Sequence, residues 1–538
     1  MFLPRQTVYM LTCILMIAAG YVLQVIIHPS DSGVVLLIQT ILVIGIFLIM
    51  QLTIQSTHVA WSWYRAFGGN VVALLVFAWI TRGEELLSSV FDYANALALL
   101  CMMAIFWIFH EWTVAERKQQ RYFWFVLFLL AGLSLLATGA RIAWGLTGVG
   151  LFVQSLLFAN QLDKRKFWLY WGGLVGLSVL TAGFLAWYDP SIRLELTQVS
   201  SLRIRLIYYW DAIRMILDHP FLGVGVDGWS KLQYQYQTAF YSVQHVHNHL
   251  LQLWLDAGIL PVMGWVVLIL LVFFDIIRIR RLASSSERKA LVTIWLSTVA
   301  VLAYSFLDFI VSFPAILMSI LFYWVFRNLL IKDIPTLTIK LHHSLIYGVS
   351  IVLITVGIVG GYREWHAFQA NIALEQGNLH TVLQYEGYSR LSMSDQSRNM
   401  VLGKAYMEKA KRTQRKADWE KANFYFQKGY ERDTEDYRFY PPLIYTSIQL
   451  NQKELAVQYS TKLIQLQPAV IEGYEWYAKS LFEAGKYHEV NQIPQLVETY
   501  QKLMLKKALI KQHIVDLTPS TQLNQIIQEA NQKLANPS

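Results

Sequence analysis

The residues best suited to chemistry lie between Ser201 and Ile259. Arg203, Arg205 and Arg214 precede a glycine-rich turn with Gly223, Gly225 and Gly228, and three histidines follow at His245, His247 and His249. In an extended segment the three imidazoles would share a face and invite a metal. No cysteine or carboxylate cluster accompanies them, so metal ligation is not expected. A neutral histidine beside several arginines is better placed as a general base, because nearby positive charge disfavours its protonated form. His247 is the candidate, with Asn248 available to orient it or a sugar hydroxyl. A solvated loop histidine is the plainer alternative.

The arginines separate by angle. The stretch Ser201 to Leu217 reads as a helix ended by Asp218-His219-Pro220. At about 100° per residue, Arg203 and Arg214 fall on one face, while Arg205 lies opposite with Tyr208, Tyr209, Ala212 and Ile216. Arg205 is suited to grip a phosphate bidentately, or to stack on tyrosine. Arg141, in TGAR at the start of an apolar run, is an interfacial anchor or a second phosphate ligand. Asp308, in SFLDFIVSFP, is a carboxylate on an apolar run and needs a partner, for which Arg141, Arg205 or His247 qualifies. Asp275 and Arg278 read as interfacial residues. Gly223, Gly225 and Gly228 spell GxGxxG, but no strand precedes them and no βαβ unit follows. A tight turn is therefore expected, not a dinucleotide site, and its backbone N–H groups can approach a ligand such as a phosphate.

Membrane helices must position these groups. The 538-residue chain is 55% hydrophobic and only 15% charged, well below the charge content of soluble domains. Apolar runs long enough to cross a bilayer lie near 8–27, 33–52, 67–81, 91–109, 122–138, 141–159, 167–187, 258–277, 290–308, 313–331 and 343–361, which makes about eleven to twelve helices. Arg and Lys recur in alternate loops, at Arg65, at Arg117 to Arg121, at Lys164 to Lys166, at Arg278 to Lys289 and at Arg327 to Lys340. These loops are assigned to the cytoplasmic side. The same phase puts Arg141, the 188–257 loop, Asp308 and everything beyond 361 outside the cytoplasm. The net charge of +9 is thus explained by topology, and no nucleic-acid partner is expected. Cys13 and Cys101 lie within apolar runs and read as packing residues. The first run has no cleavage site after it and reads as an uncleaved helix.

From Tyr362 the composition turns soluble and helical. A period of 34 aligns Ala422, Ala456 and Val490, and pairs Asn451 with Gly485. Pro468 and LFEAGKY at 481–487 resemble the tetratricopeptide repeat over roughly 395–500. The fold class expected is all-α: residues 1–361 a polytopic transmembrane bundle with a large extracytoplasmic loop, and 362–538 a repeat-like helical domain able to bind a protein partner.

The order TGAR, RLIYYWDAIRMILDHPFLGVGVDGW, HVHNHLLQLWLDAGI and FLDFIVSFPA resembles the O-antigen ligase and O-antigen polymerase superfamily of bacterial membrane glycosyltransferases. The resemblance covers roughly 125–330. His247-Asn248, nine residues and then Gly258 fit the ligase pattern, while Pro261 stands where that pattern has Gly, Thr or Tyr. It implies a multi-pass protein of the bacterial plasma membrane that needs no metal or cofactor. Such a protein transfers a glycan from an undecaprenyl-diphosphate carrier to a hydroxyl on a lipid, glycan or protein acceptor. Arg141 and Arg205 would bind the diphosphate and His247 would deprotonate the acceptor, with Asn248, Asp308, Gly223, Gly225 and Gly258 in support. A polymerase or protein oligosaccharyltransferase of the same superfamily is the nearest alternative. A transporter is disfavoured because the ionisable residues sit at the outer surface and not at the bilayer midplane.

Overall fold

The structure, a computed structural model, describes residues 2–28, 30–54, 56–81, 87, 93–158, 172, 200–239, 241–281, 285–309, 314–331, 336–338, 343–388, 395–507 and 517–536. Apolar runs near 20 residues become helices because a bilayer offers backbone groups no other hydrogen-bond partners. The first six are α1 (Arg5–Ile27), α2 (Asp31–Thr53), α3 (Thr57–Ile80), α4 (Ala94–Val114), α5 (Lys118–Ala137) and α6 (Arg141–Phe158). The loop region holds α7 (Ser200–Asp218), α8 (Gly228–Tyr236) and α9 (His249–Ala257). The bundle resumes with α10 (Ile259–Phe274), the short α11 (Ile276–Ile279), α12 (Ser285–Tyr304), α13 (Pro314–Leu330) and α14 (His343–Glu375). Seven of the described helices or helix pairs, α1 to α6 and Ile259–Ile279, are long and apolar enough to cross a membrane. Ten of the eleven expected runs are helical; the run at 167–187, apart from residue 172, lies outside the described residues.

Apolar on all sides, α4 is the axis of the bundle, buried from Ala96 to Ile108. Two small-residue contacts bring α1 against α10. A Cβ on Gly20 would lie 2.2 Å from Pro261 Cγ, and one on Gly264 would lie 2.6 Å from the Cys13 carbonyl oxygen. Pro261, the departure from the ligase pattern, thus serves packing here. Cys13 and Cys101 are both buried and unbridged. Near the N-terminus, Phe2–Pro4 pairs antiparallel with Thr336–Thr338.

Three expectations are corrected. The third helix starts at Thr57, ten residues before the apolar run, so Arg65 is helical and not in a loop; its guanidinium grips Glu111 of α4 at 2.8 and 3.0 Å. Asp275 and Arg278 are more than interfacial residues. Asp275 is fully buried where α10 gives way to α11, and it accepts bonds from Arg327, Tyr323 and Arg278. The ninth apolar run ends as a helix at Tyr304, so Asp308 sits just past the last turn of α12.

No break in the helix marks residue 361, because α14 runs through it to Glu375. Beyond it are α15 (Leu379–Tyr388), α16 (Asp395–Thr413), α17 (Lys416–Tyr430), α18 (Tyr440–Gln449), α19 (Lys453–Leu466), α20 (Ile471–Glu483), α21 (Tyr487–Val490), α22 (Ile493–Lys507) and α23 (Thr521–Ala535). The residues spaced by 34 share local features. Ala422, Ala456 and Val490 are each fully buried, and Asn451 and Gly485 both take positive φ, at 60° and 77°. Gly377 and Gln414 do likewise at 69° and 53°, so four of the described helix-to-helix turns here are made on one left-handed residue.

Candidate active site

α7 carries its residues as the angular argument requires. Arg203 is exposed, while Tyr208 is buried and Arg205 half-buried. Arg205 Nη1 donates to the Leu307 carbonyl at 2.8 Å, and its Nη2 lies 3.8 Å from Asp308 Oδ2. That carbonyl belongs to the turn closing α12, where the negative end of the helix dipole favours a cation.

Asp308 is the centre of the site. Its carboxylate is fully buried and accepts bonds from the Tyr93 hydroxyl (2.9 and 2.8 Å), Asn95 Nδ2 (2.8 Å) and the Phe309 N–H (2.8 Å). His247 Nδ1 stands 3.7 Å from its Oδ1. Burial and the neighbouring negative charge push the Tyr93 phenol up, so it remains a donor. An imidazole surrounded by positive charge alone is therefore not what forms. His247 faces a carboxylate as well as a guanidinium, and with Nδ1 turned to Asp308 the Nε2 is left for a substrate proton.

The backbone holds His247 in an uncommon conformation. Its φ is 56°, in the left-handed region that costs a non-glycine residue about 1 kcal/mol or more. The Tyr209 hydroxyl donates to the His247 carbonyl at 2.8 Å and supports that geometry. Asn248 follows at the head of α9. It is the N-cap of α9: its Oδ1 accepts from Leu251 N–H at 3.1 Å and its Nδ2 donates to Phe306 O at 2.8 Å. Both amide ends are engaged in fixing the residue after His247. His247 consequently precedes the helix and does not lie on it.

The three histidines part company. His245 stacks on Phe309 at 3.9 Å and burial lowers its basicity. His249 is buried edge-on against Trp265 at 4.9 Å, where burial lowers its pKa to about 4. Among the described residues no three His, Cys, Asp or Glu side chains are grouped to hold a metal ion.

The glycines serve a close approach of the chain to itself. Gly223 and Gly258 have φ of 71° and 81°. A Cβ on Gly223 would fall 2.3 Å from Leu255 O, and one on Gly258 2.2 Å from Phe221 O. Between them run the bonds Val224 N–H to Leu255 O (2.7 Å) and Ile259 N–H to Phe221 O (3.1 Å). The turn and the end of α9 thus form one backbone-bonded unit. Gly225, φ 86°, packs beside His28 and Gln24 at the end of α1. Gly228 opens α8, so GxGxxG is a turn here.

Arg141 is the first residue of α6 and is exposed. α4 and α6 run in the same direction, being separated by the one antiparallel helix α5. Arg141 therefore lies at the same end of the bundle as Tyr93 and Asn95, while the ring of groups on Asp308 is built from Tyr93, Asn95, Arg205 and His247. Tyr93 and Asn95 were missed from sequence. Their signal is a polar pair at the mouth of an apolar run, which reads equally well as an ordinary cap.

Fold and site together define a polytopic helical membrane protein with an arginine, an imidazole and a buried carboxylate at one end of its bundle. Residues 126–266 match the family described as O-antigen ligase. The matched stretch contains Arg141, Arg205, His247, Asn248 and the three site glycines; Asp308 and its donors Tyr93 and Asn95 lie outside it. The likeness supports a membrane glycosyl-transfer role in polysaccharide biosynthesis, with a lipid-linked glycan donor and an acceptor. No curated protein matches the chain.

Proposed function

We propose that the protein transfers a glycan from an undecaprenyl-diphosphate carrier to an acceptor hydroxyl at the outer face of the plasma membrane, with no metal. His247 Nε2 takes the proton of the acceptor O–H, and the oxygen attacks the anomeric carbon. The bond from that carbon to the carrier phosphate breaks, and the diphosphate leaves with its charge held by Arg205 and Arg141. Asp308 is a positioning residue: it orients the imidazole, stabilises its protonated form, and draws Arg205 to the same place. The outward placement of the loop and the helical array rests on the Lys and Arg bias of the alternate loops. The array is read as a tetratricopeptide-like domain with a protein or polymer partner.

The observation that carries this reading is the convergence of Arg205 and His247 on one buried carboxylate, at 3.8 and 3.7 Å. Deleting the gene and analysing the surface glycans of the cells tests it. A glycan that accumulates on its lipid carrier and vanishes from an acceptor is the expected result, and it names the acceptor. Unchanged surface glycans and carrier pools would refute the proposal.

A further inference from the structure

The loop and the helical array meet in a polar cleft of about 160 Å³. Its walls are fixed to each other: Lys231 of α8 is paired with Asp433, and Tyr234 meets Tyr437 edge-on at 5.4 Å. Arg214, Tyr236 and Gln237 line one side, Gln465, Pro468 and Tyr500 the other. Gln237 is only 2% exposed. Its Nε2 donates to the Tyr241 carbonyl, while its Oε1 accepts from no group among the described residues. A buried amide oxygen without a donor costs about 1–3 kcal/mol, a cost that a ligand hydroxyl reaching it would remove. Arg214 is balanced by Asp211 at 3.9 Å and donates to Tyr236 O at 3.1 Å, so the cleft calls for no anion. Its chemistry is that of amides that both donate and accept beside tyrosine rings, which suits a ring bearing hydroxyls and an apolar face. A space near 150 Å³ takes one six-membered ring.

We propose that this cleft is a second saccharide site, binding one uncharged pyranose of a glycan away from the reacting sugar; its choice of ligand rests on the glycan-transfer reading. Arg214 lies nine residues beyond Arg205 on α7, about 13 Å along the axis and on the opposite face. At that remove the cleft holds the body of the glycan chain and does not touch the bond being made. Bundle loop and array contribute one wall each, which gives the array a role in substrate retention.

The test uses the full-length protein in detergent. The probe is a set of three- to five-sugar fragments released by mild acid from the source cells' own surface glycan, with binding followed by calorimetry. Wild type and His247→Ala should bind the fragments equally. Gln237→Leu and Gln465→Ala should each weaken binding about five- to tenfold, the loss of about one hydrogen bond. Gln465 is exposed, so its variant tests the cleft even where Gln237→Leu fails to fold. Failure of wild type to bind, or full affinity in a folded Gln465→Ala, overturns the site. Binding by a protein whose His247→Ala variant still transfers glycan would preserve the cleft and sink the catalytic reading instead.

Discussion

Replacing Asp308 with asparagine keeps the shape of the site and removes the buried charge that faces His247 and Arg205. His247 Nδ1 and the carboxylate are 3.7 Å apart. Two unit charges at that separation interact by about 4 kcal/mol at an effective dielectric of 20. The imidazole is 23% exposed, and solvent screening brings the part felt by a developing imidazolium to about 2 kcal/mol. That corresponds to about a thirtyfold fall in kcat. Arg205 keeps its bond to the Leu307 carbonyl, so the KM for the lipid-linked donor should change by less than about threefold, on the same scale of a few tenths of a kcal/mol. The assay is transfer in proteoliposomes with kcat and KM resolved, alongside the melting temperature. A fall in kcat in a protein that still melts near the wild-type temperature marks positioning of the imidazole. A folded Asp308→Asn enzyme with wild-type kcat would refute the reasoning.

Arg205→Ala should weaken donor binding at least tenfold, the loss of a charge-assisted phosphate contact of about 1.5–3 kcal/mol, whereas Arg203→Ala should leave it unchanged; calorimetry with the carrier diphosphate compares them. Gly258→Ala should destabilise by more than about 3 kcal/mol, combining left-handed strain with a backbone clash. Gly485→Ala, with open space at its Cβ, should lose only about 1 kcal/mol, and denaturant unfolding separates the two. Stability should fall as pH drops from 6.5 toward 4. His249 stays neutral in the folded protein down to about 4 while the unfolded chain takes up its proton near 6.5, a difference of about 3 kcal/mol. His249→Phe should flatten that part of a thermal-melt pH series.

The sequence made legible whatever depends on local period. The angular separation of Arg205 from Arg203, the apolar runs, the glycine turn and the 34-residue spacing of Ala422, Ala456 and Val490 all follow from counting along one segment. What it hid depends on pairing across long separations. Asp308 is recognisable as a carboxylate in need of a partner, but nothing local says that Tyr93 and Asn95, more than 200 residues earlier, supply its hydrogen bonds. The Asp275–Arg327 pair, 52 residues apart, was invisible for the same reason. Where the helix begins after His247 is decided by Asn248: its side chain captures the Leu251 N–H, and α9 starts at His249, two residues after His247.

The central claim is that His247 is the base of a glycan transfer, and reconstitution tests it most directly. Purified wild-type protein and His247→Ala, each in liposomes carrying the undecaprenyl-diphosphate glycan and the acceptor, are compared for release of carrier diphosphate and gain of glycan on the acceptor. The account expects His247→Ala to bind the donor as wild type does and to transfer at less than about one-hundredth of its rate, the low end of a general-base contribution. Transfer by His247→Ala at the wild-type rate would contradict it.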